Sequence, residues 1–173
     1  AYDYLLLHEQ GDIILAGDSA GGTLALSLVQ WLKTYHYPLP KGIVLVSPMV
    51  DMTHSGASYK TNFKKDPLFG NTDRSMLMDM RYVGRHNVKS RYISPIFGDY
   101  SDFPPVLIQV GDIEMLYSDA LMLYDKLREN HGRVRLTVFD RMFHEFQQFP
   151  VALLPESRRA WEEIGHFIEN ALR

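Results

Sequence analysis

The chain contains no cysteine. A disulfide, a thiolate nucleophile and a Cys-based metal site are therefore excluded. The missing disulfides fit a reducing compartment, and a cytoplasmic location is expected on that ground alone. No apolar run reaches the roughly 18 to 20 residues that a membrane-spanning helix needs. No signal-peptide pattern opens the sequence, and no Asn-x-Ser/Thr acceptor occurs in it. Neither sign of charge is in marked excess. A net charge of -3 argues against nucleic acid or an anionic membrane as the main partner. Internal repeats, low-complexity tracts and linkers are also lacking, so residues 1–173 are read as one domain.

What is present is an ordinary globular composition, 46% apolar and 23% charged over 173 residues. That length suffices for one sizeable core. The chain opens on Ala1, and Ala1 to Leu7 reads like the end of a helix already under way. An N-terminal segment is therefore expected to precede it, with any targeting or anchoring signal.

Short apolar runs alternate with helical stretches, the pattern of a mostly parallel sheet flanked by helices. Strands are predicted over Asp12 to Ala16, Ile43 to Val46, Val106 to Val110 and Val134 to Phe139. The first is too apolar for an edge strand exposed on one face. A helix is predicted from Ser19 to Lys33, with Leu24, Leu28, Trp31 and Leu32 at helical spacing. Residues 51 to 100 look irregular, with a short helix around Ser75 to Val83. Ser118 can cap the next helix, whose Leu121, Tyr124 and Leu127 face inward and which Gly132 ends. A last helix runs from about Pro155 to Leu172, striped by Trp161, Ile164, Phe167, Ile168 and Leu172.

The stretch with chemical content is Gly17-Asp18-Ser19-Ala20-Gly21-Gly22. It lies between a predicted strand and a predicted helix, as a G-x-S-x-G nucleophile elbow must. So sharp a turn needs small residues around the serine, and Gly17 and Gly21 supply them. The turn lifts the Ser19 hydroxyl above the C-terminal edge of the sheet. The helix start then aims backbone N–H groups, including that of Ala20, at a developing oxyanion. The phosphate-binding patterns G-x-G-x-x-G and G-x-x-x-x-G-K-[ST] are not present.

A serine hydroxyl needs a base, which in this arrangement follows it in the order Ser, acid, His. Of the seven histidines, His8 precedes the elbow. His36, His131 and His166 lie on or beside helices, and His54 and His86 fall in the irregular region. His144 follows the last strand by a few residues, in a loop at the same sheet edge as Ser19. The acid is expected just past the third strand, where Asp112 and Glu114 compete. Either could accept the imidazole N–H and stabilise the imidazolium, and position alone does not choose.

With these residues in hand, the chain resembles the hormone-sensitive lipase family of α/β-hydrolases. The elbow carries the resemblance, together with 94–99 (SPIFGD), 103–111 (FPPVLIQVG), 114–119 (EMLYSD) and 142–146 (MFHEF). It implies an α/β-hydrolase fold and a carboxylic-ester hydrolase acting through an acyl-enzyme on a small-molecule ester of short or medium acyl chain. No metal and no organic cofactor are implied, and a homodimer is compatible with it. Family members read the acid as the residue two before a leucine with an Asp a few positions on. Here that is Glu114, followed by Leu116 and Asp119, so the resemblance favours Glu114 over Asp112.

One departure from the family is large. Relatives carry His-Gly-Gly-Gly well before the elbow, as oxyanion donors, and nothing like it precedes Gly17. Ala20 is then the one oxyanion donor that can be named. The absence also supports an expected missing N-terminal part, including the first strands. Such a fragment alone should be inactive and prone to aggregate. The rival is a ligand-binding protein on the same fold, as in plant gibberellin receptors, which resemble the family and have lost catalytic competence. Met76, Met78 and Met80 could line a pocket, although such spacing also suits core packing.

Overall fold

The computed structural model describes residues 2–8, 11–68, 70 and 80–173. Four strands, β1 (Ile14–Asp18), β2 (Gly42–Val46), β3 (Val106–Gly111) and β4 (Val134–Phe139), form one sheet in the order β1-β2-β3-β4. All three pairings are parallel. Among the described residues the α-helices are α1 (Tyr2–His8), α2 (Ala20–Thr34), α3 (Ser58–Thr61), α4 (Met80–Val83), α5 (Tyr117–Glu129) and α6 (Pro155–Ala171).

Successive side chains on a strand point to opposite faces, and the core divides accordingly. Ile43, Leu45, Val106, Ile108 and Val110 pack with Leu26 and Val29 of α2 and Leu123 and Leu127 of α5. Val44 and Leu107, on the other face, pack with Ile164 of α6. Because strand order follows chain order, the crossover helices α2 and α5 share one face, as right-handed connections require. The helix after β4 is free to cover the other face. All four strands also end at one edge of the sheet, in chain order, at Asp18, Val46, Gly111 and Phe139.

Several expectations are corrected. The first strand is shifted two residues from the predicted Asp12 to Ala16, with Ile14 and Leu15 half-buried and Ala16 exposed. Among the described residues no strand flanks its other side, and burial there comes only from the helices. An apolar groove lined in part by Ala16, Val44, Val46 and Trp161 runs along it on the α6 face.

Helix α2 is rotated from the predicted stripe. Leu24 is 58% exposed, while Ala25, Leu26, Val29 and Leu32 are buried. Tertiary contacts at its start set this phase. The Thr23 hydroxyl donates to the Met49 carbonyl at 2.6 Å, and Gly22 lies against Pro48. In α5 the fully buried positions are Asp119, Ala120, Leu123 and Leu127, with Leu121 and Tyr124 only half-buried. In α6, Ile164 is buried and Phe167 and Ile168 pack beside it, whereas Trp161 and Leu172 are 54% and 44% exposed.

Ser118 does not cap α5, which begins one residue earlier. Its Oγ instead accepts the Ser58 N–H, and the Ser58 Oγ accepts the Ser118 N–H, tying α3 to α5. The left-handed residue after α5 is His131 (φ 57°) rather than Gly132. Its N–H donates to the Arg128 carbonyl and that of Gly132 to the Leu127 carbonyl, closing a Schellman motif. His36 (φ 56°) ends α2 in the same way. Met76 and Met78, and the predicted helix before Met80, lie outside the described residues.

Candidate active site

Each of the four strand ends leads into one polar residue of a single cluster. Ser19 follows β1, Ser47 follows β2, Glu114 lies three residues past β3, and His144 lies five past β4.

Ser19 joins β1 to α2 with φ 49° and ψ -119°. A left-handed φ is strained for a non-glycine residue, and the backbone around it is fully engaged. The Ser19 N–H continues the ladder to the Val46 carbonyl at 2.9 Å. Its carbonyl accepts the N–H groups of Gly22 and Met49 at 3.0 and 3.1 Å. A Cβ on Gly17 would meet the Gly21 carbonyl oxygen at 2.3 Å, so the turn requires glycine there. At Gly21 the nearest atom is Asp18 Oδ1 at 3.1 Å, a milder constraint than expected. Ala20 opens α2 and is exposed, and first-turn N–H groups have no partner within their own helix.

His144 has to travel to reach Ser19. It leaves β4, while Ser19 leaves β1, three strands away and thus about 14 Å across the sheet. The loop 140–145 crosses the ends of the intervening strands in two steps. Over β3, Asp112 Oδ1 accepts the Arg141 N–H at 2.6 Å, and the backbone at Met142 passes directly above Gly111. Over β2, the Ser47 Oγ accepts the Glu145 N–H at 3.2 Å. Arg141 and Glu145, at φ 56° and 55°, make the turns.

The imidazole then lies between two partners. Nε2 is 3.0 Å from Ser19 Oγ, and Nδ1 is 3.1 Å from Glu114 Oε2. The geometry fits a tautomer in which Nδ1–H donates to the carboxylate and Nε2 accepts from the serine hydroxyl. Glu114 is fully buried and His144 nearly so. Oε1 of Glu114 accepts the Ser47 hydroxyl at 2.9 Å and the Gly111 N–H. Asn62 Nδ2 donates to the carbonyls of Asp112 and Glu114, both at 2.9 Å. Of the two competing carboxylates, therefore, Glu114 meets the imidazole, and Asp112 holds the loop that carries it.

The structure thus brings Ser19, Glu114 and His144 together and sets Ala20 beside them. His36 and His131 lie away, at exposed helix ends. Sequence reasoning missed Ser47, Asn62 and Glu145. Glu145 Oε1 is 3.6 Å from His144 Nε2. Burial pushes its carboxyl above the ordinary value against the pull of His144, and the charges of Asp18 and Glu114 add to the rise. Gln148 Nε2 bridges Asp18 and Glu145 at 3.1 and 2.9 Å. Ser47 had a legible signal, since it directly follows a predicted strand, as Ser19 nearly does. Asn62 and Glu145 had none.

No described helix is long and apolar enough to cross a membrane. A protein-family model described as alpha/beta hydrolase fold matches residues 3–148. The chain is 36% identical over 173 residues to an acetyl-hydrolase of Streptomyces hygroscopicus, covering 97% of this chain and 57% of that protein. It is 32% identical over 158 residues to an esterase of Acinetobacter venetianus, covering 90% and 51%. The chain thus spans little more than half the length of these relatives. A solved esterase of the bacterial hormone-sensitive lipase family superposes with a TM-score of 0.93 at 36% identity, over 100% of this chain and 58% of the other. A hormone-sensitive lipase from a metagenome library gives 0.92 at 34% identity, with the same coverage. With most of its length matched, the chain belongs to the alpha/beta hydrolase fold family and is similar to esterases of its hormone-sensitive lipase group.

Proposed function

We propose that the protein is a serine carboxylic-ester hydrolase and that Ser19, His144 and Glu114 form its catalytic triad. The observation that carries the proposal is the unbroken chain of contacts from Ser19 Oγ through both imidazole nitrogens to a fully buried carboxylate. Ser19 attacks the ester carbonyl carbon while Nε2 of His144 takes its proton. The tetrahedral intermediate collapses as His144 returns that proton to the leaving alcohol, and an acyl-enzyme remains. Water, activated by the same nitrogen, releases the acid and restores the serine. Glu114 holds the imidazole in the required tautomer and stabilises the imidazolium. The N–H of Ala20 is one donor to the oxyanion. The substrate is a small-molecule ester with a short acyl chain, a preference supported by the similarity to a protein named as an acetyl-hydrolase.

Treating the full-length protein with a fluorophosphonate probe, then measuring hydrolysis of p-nitrophenyl esters of increasing acyl length, tests both parts. Covalent labelling at Ser19 and turnover greatest on the shortest esters is the expected result. Absence of labelling and turnover overturns the proposal, and turnover rising with chain length overturns the substrate class.

A further inference from the structure

We infer that Ser47 is a positioning residue for the proposed hydrolysis, acting on Glu114 and on the His144 loop through one hydroxyl. The inference rests on the triad assignment above. Ser47 is completely buried and cannot touch substrate. Its Oγ–H donates to Glu114 Oε1 at 2.9 Å, and the same oxygen accepts the Glu145 N–H at 3.2 Å. Its own N–H donates to the Gln109 carbonyl at 2.7 Å, anchoring it to β3. One hydroxyl therefore joins the β2 end, the acid, and the residue next to the base.

The backbone argues that the hydroxyl is needed. Ser47 has φ 48°, a conformation glycine adopts freely and other residues resist. No local stability is gained from serine over glycine at such a position. A fully buried hydroxyl with donor and acceptor both engaged is what serine adds there.

Among the described residues, Glu114 meets Nδ1 of His144, and Ser19 and Glu145 lie on its Nε2 side, with Asp18 behind Gln148. The Ser47 hydroxyl spreads part of the Glu114 charge away from Nδ1. Without it Oε1 of Glu114 loses one of its two donors, and the carboxylate is held less firmly against Nδ1. The Glu145 N–H also loses its acceptor, and the loop that aims Nε2 loosens.

The test compares Ser47→Ala and Ser47→Gly with the parent, using p-nitrophenyl acetate and active sites counted by fluorophosphonate titration. Both variants should lose about tenfold in kcat per titrated site, or about 1.4 kcal/mol, with KM nearly unchanged. Ser47→Gly guards against misfolding, because it relieves the backbone while removing the same hydroxyl; it should melt above Ser47→Ala yet share its kinetic defect. If either folded variant keeps the parent's kcat per site, Ser47 only fills space and the inference is overturned. A parent that neither labels at Ser19 nor hydrolyses the ester overturns the triad assignment, and this inference with it.

Discussion

His144 Nε2 and Ser19 Oγ lie 3.0 Å apart across 125 residues of chain. β1 and β4, which they follow, are at opposite sides of the four-stranded sheet. Their meeting depends on a loop that crosses two strand ends, held by Asp112 and Gly111 at the first and Ser47 at the second. The expected consequences follow that path.

Ser19→Ala should abolish ester hydrolysis, with a loss on the order of 10⁶-fold in kcat. The exchange of hydroxyl for hydrogen hardly alters volume, so the melting temperature should stay within a few degrees of the parent's. Steady-state kinetics beside a thermal melt check both statements. A variant retaining a tenth of the parent rate would exclude Ser19 as the nucleophile.

The two carboxylates after β3 should separate cleanly. Glu114→Gln places a neutral amide against the imidazole and can invert the tautomer, at a cost on the order of 10⁴-fold in kcat. Asp112→Asn keeps an oxygen able to accept the Arg141 N–H, so its loss should stay below about tenfold. Measuring kcat for both variants decides the matter, and a larger loss from Asp112→Asn would reverse the assignment.

Gly111 tests the crossing itself. A Cβ there would meet the Met142 carbonyl oxygen at 1.9 Å, which no rotamer change can relieve. Gly111→Ala should destabilise the fold by about 1 to 3 kcal/mol. It should also cost about 10²-fold in kcat, because the displaced backbone carries His144 two residues on. Denaturant titration and kinetics on the folded fraction separate the effects. Unchanged kcat on that fraction would show that the loop does not aim His144 from this point.

Asp119 makes stability depend on pH. Burial pushes its carboxyl up to about 7, although the N–H groups of Val50 and Asp51 pull the other way. The unfolded chain titrates it near 3.8. Between these values the folded state binds the extra proton. This contribution is thus fully present below about pH 4 and is lost as pH rises toward 7. Asp119→Asn keeps an oxygen for the two N–H groups and cannot ionise. Its stability relative to the parent should therefore improve from pH 5 to pH 8, as thermal melts across that range would record. A difference that does not change with pH would remove Asp119 as its source.

Much of the site was legible in the sequence because its signals are local. A glycine two residues before the serine is needed wherever a chain turns this sharply, and the collision at Gly17 is that need in atoms. The near-continuous apolar runs Ile43 to Val46 and Val106 to Val110 mark strands covered on both faces, and both lie in the sheet interior. The positions just after strands, where Ser19, Glu114 and His144 were sought, follow from parallel strands ending at one edge.

Other features belonged to tertiary structure because local signals do not carry them. Apolar spacing proposes a helix face but not its rotation, which in α2 is set by Thr23 and Gly22 against the loop at Met49 and Pro48. Spacing left Asp112 and Glu114 equal, and the resemblance favoured Glu114 without a physical reason. The difference between them appears only when a loop from β4 folds over the strand ends. Asp112 then meets a backbone N–H, and Glu114, one helical turn before Tyr117 and fully buried, meets the imidazole. Ser47 joined the cluster for the same reason: a hydroxyl gains its meaning from partners 67 and 98 residues away, which only the folded sheet brings within reach.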